Sequence, residues 1–247
     1  MPTAEAAPSA PLFAPPDPRA AGPSLASDPS IAAAKTALRQ RLRAERERFG
    51  DPQAGLALRD RVLASVPIPE DACIAGYWPF GPEMDVRPLL TVLAASGRPC
   101  ALPVIQGRGR PLLFRRWTTA TLLIPAGRFR IPEPPASEPE LVPDVLLVPL
   151  LAFDRRGYRL GYGAGYYDMT LAGLRASKRI LAVGVGYAVQ EVEAVPRDAF
   201  DERVDWIVTE REAIRIPDPP ASPVPAAPAR NPASEAADSD ADPGPAA

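Results

Sequence analysis

Apolar positions between residues 31 and 42 recur at helical spacing, with Ile31, Leu38 and Leu42 toward the core. Asp28-Pro29 precedes them and reads as an N-cap followed by proline at the first helical position. Lys35, Arg39 and Arg43 recur every four residues, so they form a basic stripe along one side of that helix. Asp51-Pro52 repeats the start signal and predicts a second helix running to about Val66. ACIAGYW at 72–78 is a short apolar run that fits a buried strand, and VRPLLTVLAASG at 86–97 predicts a helix stopped by Gly97. Strand-like runs follow at 100–105, 111–117, 145–153, 179–187 and 205–210, with helices between several of them. The proline-rich stretch 118–143 is expected to cross the surface. Apolar strands alternating with helices predict an α/β protein with a mainly parallel sheet. Ligands of such sheets bind beyond the carboxyl ends of the strands, where the segment after Phe153 should lie.

Composition narrows this to one domain. Residues 1–30 hold 8 prolines and residues 216–247 hold 9, half of the 34 in the chain, among Ala, Ser and Asp. Segments with so few large apolar residues cannot offset the entropy of ordering, so both ends are expected to be disordered tails around a domain at 31–215. The net charge of −2 argues against a dedicated nucleic-acid binder. No apolar stretch reaches the ~18 residues of a membrane span, and the start lacks the pattern of a secretory signal. Cys73 and Cys100 fit reduced core thiols, and the chain reads as cytoplasmic. Histidine is absent altogether. Chemistry must then rest on carboxylates, Lys, Arg, Tyr, backbone N–H groups or an oxygen-bound cation, which points toward phosphate and magnesium.

The segment RLGYGAGYYD at 159–168 is the candidate centre. Gly161, Gly163 and Gly165 alternate, so the backbone can approach a ligand without Cβ obstruction. Entry into a helix near Tyr166 aims unbonded N–H groups at an anion, and the helix dipole assists. Arg159 would add a charge-assisted contact to phosphate, and Asp168 in the first helical turn is placed to bind a cation that phosphate also binds. The same features also fit a tight turn and ordinary dipole complementation. A dinucleotide fingerprint fits poorly, because the spacing is G-x-G-x-G with no acid about 20 residues on.

A more specific pattern surrounds that loop. PLLAFDRRGYRLGYGAGYYD resembles the signature of the 5-formyltetrahydrofolate cyclo-ligase family, also called 5,10-methenyltetrahydrofolate synthetases. AAAKTALRQRLR resembles the family's opening K-x-x-L-R helix, YWPFGPEMDVRPLL its substrate segment and FRIPEP its I-x-E-P element. GVGYAVQEVEAVPRDAFDERVDWIVTE resembles its closing stretch, so the likeness spans residues 31–210 in order. The resemblance implies a single three-layer α/β/α domain. It also implies an ATP- and Mg²⁺-dependent ligase of one-carbon metabolism that turns 5-formyltetrahydrofolate into 5,10-methenyltetrahydrofolate, ADP and phosphate.

Carried over by position, Lys35, Thr36, Ala37, Leu38 and Arg39 would bind ATP from the first helix. Arg159, Leu160, Gly161, Tyr162, Gly163, Ala164, Gly165, Tyr166 and Tyr167 would cradle it, the last two also walling the folate. Asp168 and Asp201 would hold magnesium. Phe80, Glu83 and Asp85 would face the folate, with Phe129 a further aromatic candidate; Asp85 could equally cap the following helix. The partners implied are ATP and 5-formyltetrahydrofolate, in polyglutamylated form or not, and a monomer is expected. Tyr162 and Ala164 stand where other members carry Arg, Lys or Gly, Met169 replaces a common Arg, and Phe200 a common His. The rival readings are a folate-binding protein without turnover and an ATP-independent sugar-phosphate or CoA enzyme on a related fold.

Overall fold

The first helix, α1 (Pro29–Arg46), starts where Asp28 and Pro29 direct it. Asp28 Oδ1 accepts the Ser30 N–H at 2.8 Å and the Ser30 hydroxyl at 2.7 Å, which is the N-cap bond. The structure, a computed structural model, describes residues 28–46 and 53–218. Helix α2 (Ala54–Ser65) has Gln53 at its N-cap with no side-chain cap bond. It therefore begins later than expected, and the signal at Asp51-Pro52 lies outside the described residues.

Strand β1 (Ile74–Ala75) leads through buried Tyr77 to helix α3 (Arg87–Ala95). Pro88 occupies the first turn of α3, and the helix stops at Gly97, whose N–H reaches Ala94 O while the Arg98 N–H reaches Leu93 O. That is the Schellman pattern. Strands β2 (Cys100–Val104) and β3 (Leu113–Trp117) then pair antiparallel. The proline-rich stretch holds a short ribbon of β4 (Ile124–Ala126) and β5 (Ile131–Glu133).

The apolar run at 145–153 is two strands, not one. Strand β6 (Val145–Pro149) lies in the main sheet, and β7 (Ala152–Phe153) pairs with β8 (Arg159–Leu160) as a separate hairpin. Gln190 enforces the break: its Nε2 donates to Leu150 O at 3.0 Å and Leu151 O at 3.1 Å, taking carbonyls out of the ladder. Asp154, fully buried, closes the hairpin turn by accepting the N–H groups of Arg156, Tyr158 and Val195. Helix α4 (Tyr166–Ser177), strand β9 (Leu181–Val185), strand β10 (Trp206–Val208) and strand β11 (Ala213–Arg215) complete the chain.

The main sheet runs β11-β10-β9-β6-β1-β2-β3. Its five inner strands are parallel, with an antiparallel strand on each edge. Strand pleat divides the core in two. Ile74, Val145, Leu147, Val183 and Val208 face α2 and α3 through Leu58, Val62, Leu89 and Leu93. Ala75, Leu146, Val148, Ala182 and Ile207 face α4 through Leu171 and Leu174. This is the expected three-layer α/β/α arrangement. Each fully buried leucine contributes about 1.5–3 kcal/mol by leaving water.

Helix α1 stands apart from these layers. Leu42 packs on Ala152, Leu160 and Val195, so the helix is docked on the β7–β8 hairpin. At the other end, Ile216 is buried and its N–H bonds Asp205 O at 2.9 Å, so packing extends past the expected boundary at 215. The expected tails, apart from 28–30 and 216–218, lie outside the described residues.

Candidate active site

The loop 161–165 leaves β8 and enters α4 at the carboxyl end of β6, beside Pro149. Gly165, at φ +70°, is the N-cap of α4, and no side chain caps that end. The first N–H groups of the helix are therefore presented toward the adjoining cavity, which has a volume of about 680 Å³. Gly163 sits at φ +103°, and a Cβ there would lie 3.3 Å from Arg39 Cζ. The loop thus admits the Arg39 guanidinium against its backbone, and Arg39 Nε donates to Gly161 O at 2.8 Å.

Helical periodicity decides what α1 delivers. Lys35 and Arg39, one turn apart, line the cavity. Thr36, Ala37 and Leu38 do not: Thr36 Oγ1 bonds back to Ala32 O, and Ala37 and Leu38 border a second hollow with residues 192–196. Only two of the five α1 residues expected at the nucleotide, Lys35 and Arg39, line the cavity. Every expected residue of the loop segment, 159 through 167, lines the cavity, and so do Asp168 and Asp201.

Ion pairs bind these parts together. Arg159, its side chain only 4 % exposed, donates to Asp168 Oδ1 at 2.9 Å and to the Glu202 carbonyl. The Glu202 N–H returns to Asp168 Oδ1 at 3.1 Å. Arg159 is therefore directed inward to the acid and the loop 198–202. Lys35 Nζ sits between Asp198 Oδ2 at 2.9 Å and Asp201 Oδ2 at 2.6 Å. Burial alone would lower the Lys35 pKa, but hydrogen bonds and charge from Asp201 and Asp198 outweigh it and raise the net value. The ammonium is firmly charged.

Magnesium fits this donor set. It favours one or two carboxylates supplemented by phosphate oxygens and water. Among the described residues neither Asp168 Oδ2 nor Asp201 Oδ1 accepts a hydrogen bond, so each acid has an oxygen left for a cation. No cluster of three or more acidic, cysteine or histidine ligands occurs among the described residues, so a metal here would depend on the nucleotide for further ligands.

The expected folate residues form a different surface. Phe80, Glu83 and Asp85 lie outside the lining of the cavity. Phe80 and Phe129 meet with ring centroids 5.2 Å apart, which joins the two aromatic candidates into one half-exposed wall. The Glu83 carboxylate accepts the Phe80 N–H at 2.8 Å. Asp85 takes both the backbone N–H and the guanidinium of Arg87, so it organises the start of α3. The charge of Glu83 is nonetheless felt at Tyr167 of the loop segment. Burial first, and then the Glu83 charge, push the Tyr167 hydroxyl far above its usual range, while Arg159 opposes them.

Sequence reasoning missed Asp198, Glu202, Asp154 and Gln190. Asp154 and Gln190 stood inside the quoted stretches PLLAFDRRGYRLGYGAGYYD and GVGYAVQEVEAVPRDAFDERVDWIVTE with no role attached. Asp198 had one visible signal, its place three residues before Asp201.

A mainly parallel sheet with a glycine loop, an uncapped helix N-terminus and two basic side chains converging at one strand end defines an α/β protein with a site suited to anions. A family model for the 5-formyltetrahydrofolate cyclo-ligase family matches residues 31–210. The chain belongs to that family and is a ligase. The cyclo-ligase of Escherichia coli is 32 % identical over 162 residues, covering 64 % of this chain and 88 % of its own length. That of Haemophilus influenzae is 35 % identical over 133 residues, covering 52 % and 70 %. The Aquifex aeolicus 5,10-methenyltetrahydrofolate synthetase structure superposes with a TM-score of 0.62 at 29 % identity, covering 78 % of this chain and 97 % of that one. Among the described residues no helix is long and apolar enough to cross a membrane.

Proposed function

We propose that this chain is a cytoplasmic, ATP- and magnesium-dependent 5-formyltetrahydrofolate cyclo-ligase. The observation that carries the reading is the convergence of Lys35, Arg39 and the uncapped α4 N-terminus on one cavity of about 680 Å³. The formyl oxygen attacks the γ-phosphorus and ADP leaves. The N10 lone pair then attacks the activated carbon, the C–O bond breaks, phosphate departs, and N10 gives up its proton as the methenyl bridge forms.

Phosphoryl transfer depends on positioning and charge neutralisation, so a histidine-free site suffices. Lys35, Arg39 and the loop amides hold the polyphosphate. Arg159 orients Asp168 through its guanidinium. Magnesium, when bound by Asp168 and Asp201, supplies charge neutralisation on the phosphates. Phe80, Phe129 and Glu83 receive the folate, with ring contact from the aromatics and hydrogen-bond acceptance by the carboxylate.

The test is direct. Purified protein should generate the near-ultraviolet absorbance of the methenyl product only when ATP, Mg²⁺ and 5-formyltetrahydrofolate are all present, with ADP released in equal amount. Folded protein that gives no absorbance change, or product without ADP, would refute the proposal.

A further inference from the structure

Resting on that reading, we propose that Asp198 is a positioning residue: it keeps Lys35 at the cavity while Asp201 exchanges the lysine for the metal that accompanies ATP. Lys35 Nζ contacts the Oδ2 atoms of both Asp198 and Asp201, and the shorter contact, 2.6 Å, is to Asp201. The three side chains are 11 %, 16 % and 18 % exposed, so their charges interact with little screening. An ammonium and a divalent cation on one carboxylate repel each other across a few ångströms. Metal arrival at Asp201 must therefore loosen Lys35.

The lysine cannot withdraw far. Helix α1 is held by the bond from Arg39 to Gly161 O and by buried Leu42. Asp198 stays in place as well, because its Oδ1 accepts the Phe200 N–H at 3.0 Å and its own N–H donates to Asp201 Oδ2 at 2.7 Å. With Asp198 present, Lys35 keeps a carboxylate partner and stays aimed at the phosphates. With Asp198 neutralised, the full attraction of Lys35 falls on Asp201, and the lysine competes with the metal.

Substitution Asp198→Asn tests this without dismantling the loop, since an amide oxygen can still accept from Phe200. Mn²⁺ affinity is read by electron paramagnetic resonance with the full chain and a non-hydrolysable ATP analogue, and melting confirms the fold. In the Lys35 background, Asp198→Asn should weaken Mn²⁺ binding about tenfold; in a Lys35→Met background the effect should shrink to about twofold or less, the non-additivity of contacting residues. Asp198→Glu should restore most of the affinity. Glu202→Gln removes the same charge from the same cavity without touching Lys35, so its effect should be equal in both backgrounds. An Asp198→Asn effect of the same size with and without Lys35 would overturn the proposal, and so would no effect at all. Failure of the wild type to bind Mn²⁺ with the analogue would sink the functional reading as well, whereas wild-type turnover with an additive cycle sinks the positioning role alone.

Discussion

Replacing Gly163 by alanine separates two demands that the loop places on one residue. At φ +103° an L-residue leaves its comfortable regions, and left-handed backbone costs about 1–2 kcal/mol for a residue with a Cβ. The new methyl group would also meet Arg39 Cζ at 3.3 Å and Nε at 3.5 Å, so the guanidinium must yield by a few tenths of an ångström. Yielding lengthens the 2.8 Å bond from Arg39 to Gly161 O and turns the charge away from the cavity. In a domain of this size 1–2 kcal/mol corresponds to roughly 2–8 °C in melting temperature. Partial loss of one charge-assisted contact is worth about tenfold in affinity for an ATP analogue. Gly161 is the control. Its φ is ordinary and a Cβ there meets nothing within 4 Å, so Gly161→Ala should melt close to wild type. The measurements are thermal melting of the free protein and calorimetric titration with the analogue. Equal melting shifts for the two variants, or wild-type affinity in Gly163→Ala, would show that the backbone and Arg39 are not coupled as argued.

Asp168→Asn should abolish turnover, by about a hundredfold or more, as expected when a group that positions or neutralises transferring charge is removed. The asparagine oxygen can still accept from Arg159 and the Glu202 N–H, but it leaves a buried guanidinium without its counter-charge, so stability should fall by about 1–3 kcal/mol; full activity would remove Asp168 from the metal site. The two thiols set an alkaline limit. Burial pushes Cys73 up to about 11 and Cys100 up to about 12, from 9.0 in the unfolded chain. The native state thus holds protons that the unfolded state has lost. Their stabilising contribution is complete below pH 9.0 and disappears as pH rises toward 11 and 12. Urea denaturation across that range, compared with Cys73→Ala, should show a smaller loss in the variant, and an identical loss would assign the effect to other groups.

Local signals were legible in the sequence where the physics is local. Asp28 capping Ser30, the four-residue recurrence of Lys35 and Arg39, the stop at Gly97 and the entry to α4 after Gly165 depend on neighbours a few positions away. The run at 145–153 misled because composition cannot tell one long buried strand from two. What divides it is Gln190, about 40 residues downstream. Strands β4, β5, β8 and β11 have only two or three residues, too few to carry a period. In the site, helix geometry divides the stretch 35–39: Lys35 and Arg39 line the cavity, while Ala37 and Leu38 border the hollow at Val192, Glu193, Ala194 and Pro196. Arg159 reads as a phosphate ligand from its place in the motif, yet its partner Asp168 lies nine positions on, and only folding shows that the two meet.

The charges lining the cavity explain why so histidine-poor a site can stay ordered before any ligand arrives. Lys35, Arg39 and Arg159 stand against Asp168, Asp198, Asp201 and Glu202, and each of the three cations already has a protein acceptor. An unpaired cluster of three cations would repel itself and splay the loop and α1 apart. Pairing them with carboxylates and carbonyls holds the geometry at the cost of competing with phosphate. On the proposed reading, a nucleotide carrying its own metal would resolve that competition, because its negative oxygens would attract Lys35 and Arg39 while its cation would take the Asp201 oxygen that Lys35 gives up. Anion alone would strand the acids, and cation alone would have to displace the lysine. On that reading the arrangement would favour the metal–nucleotide pair over either component.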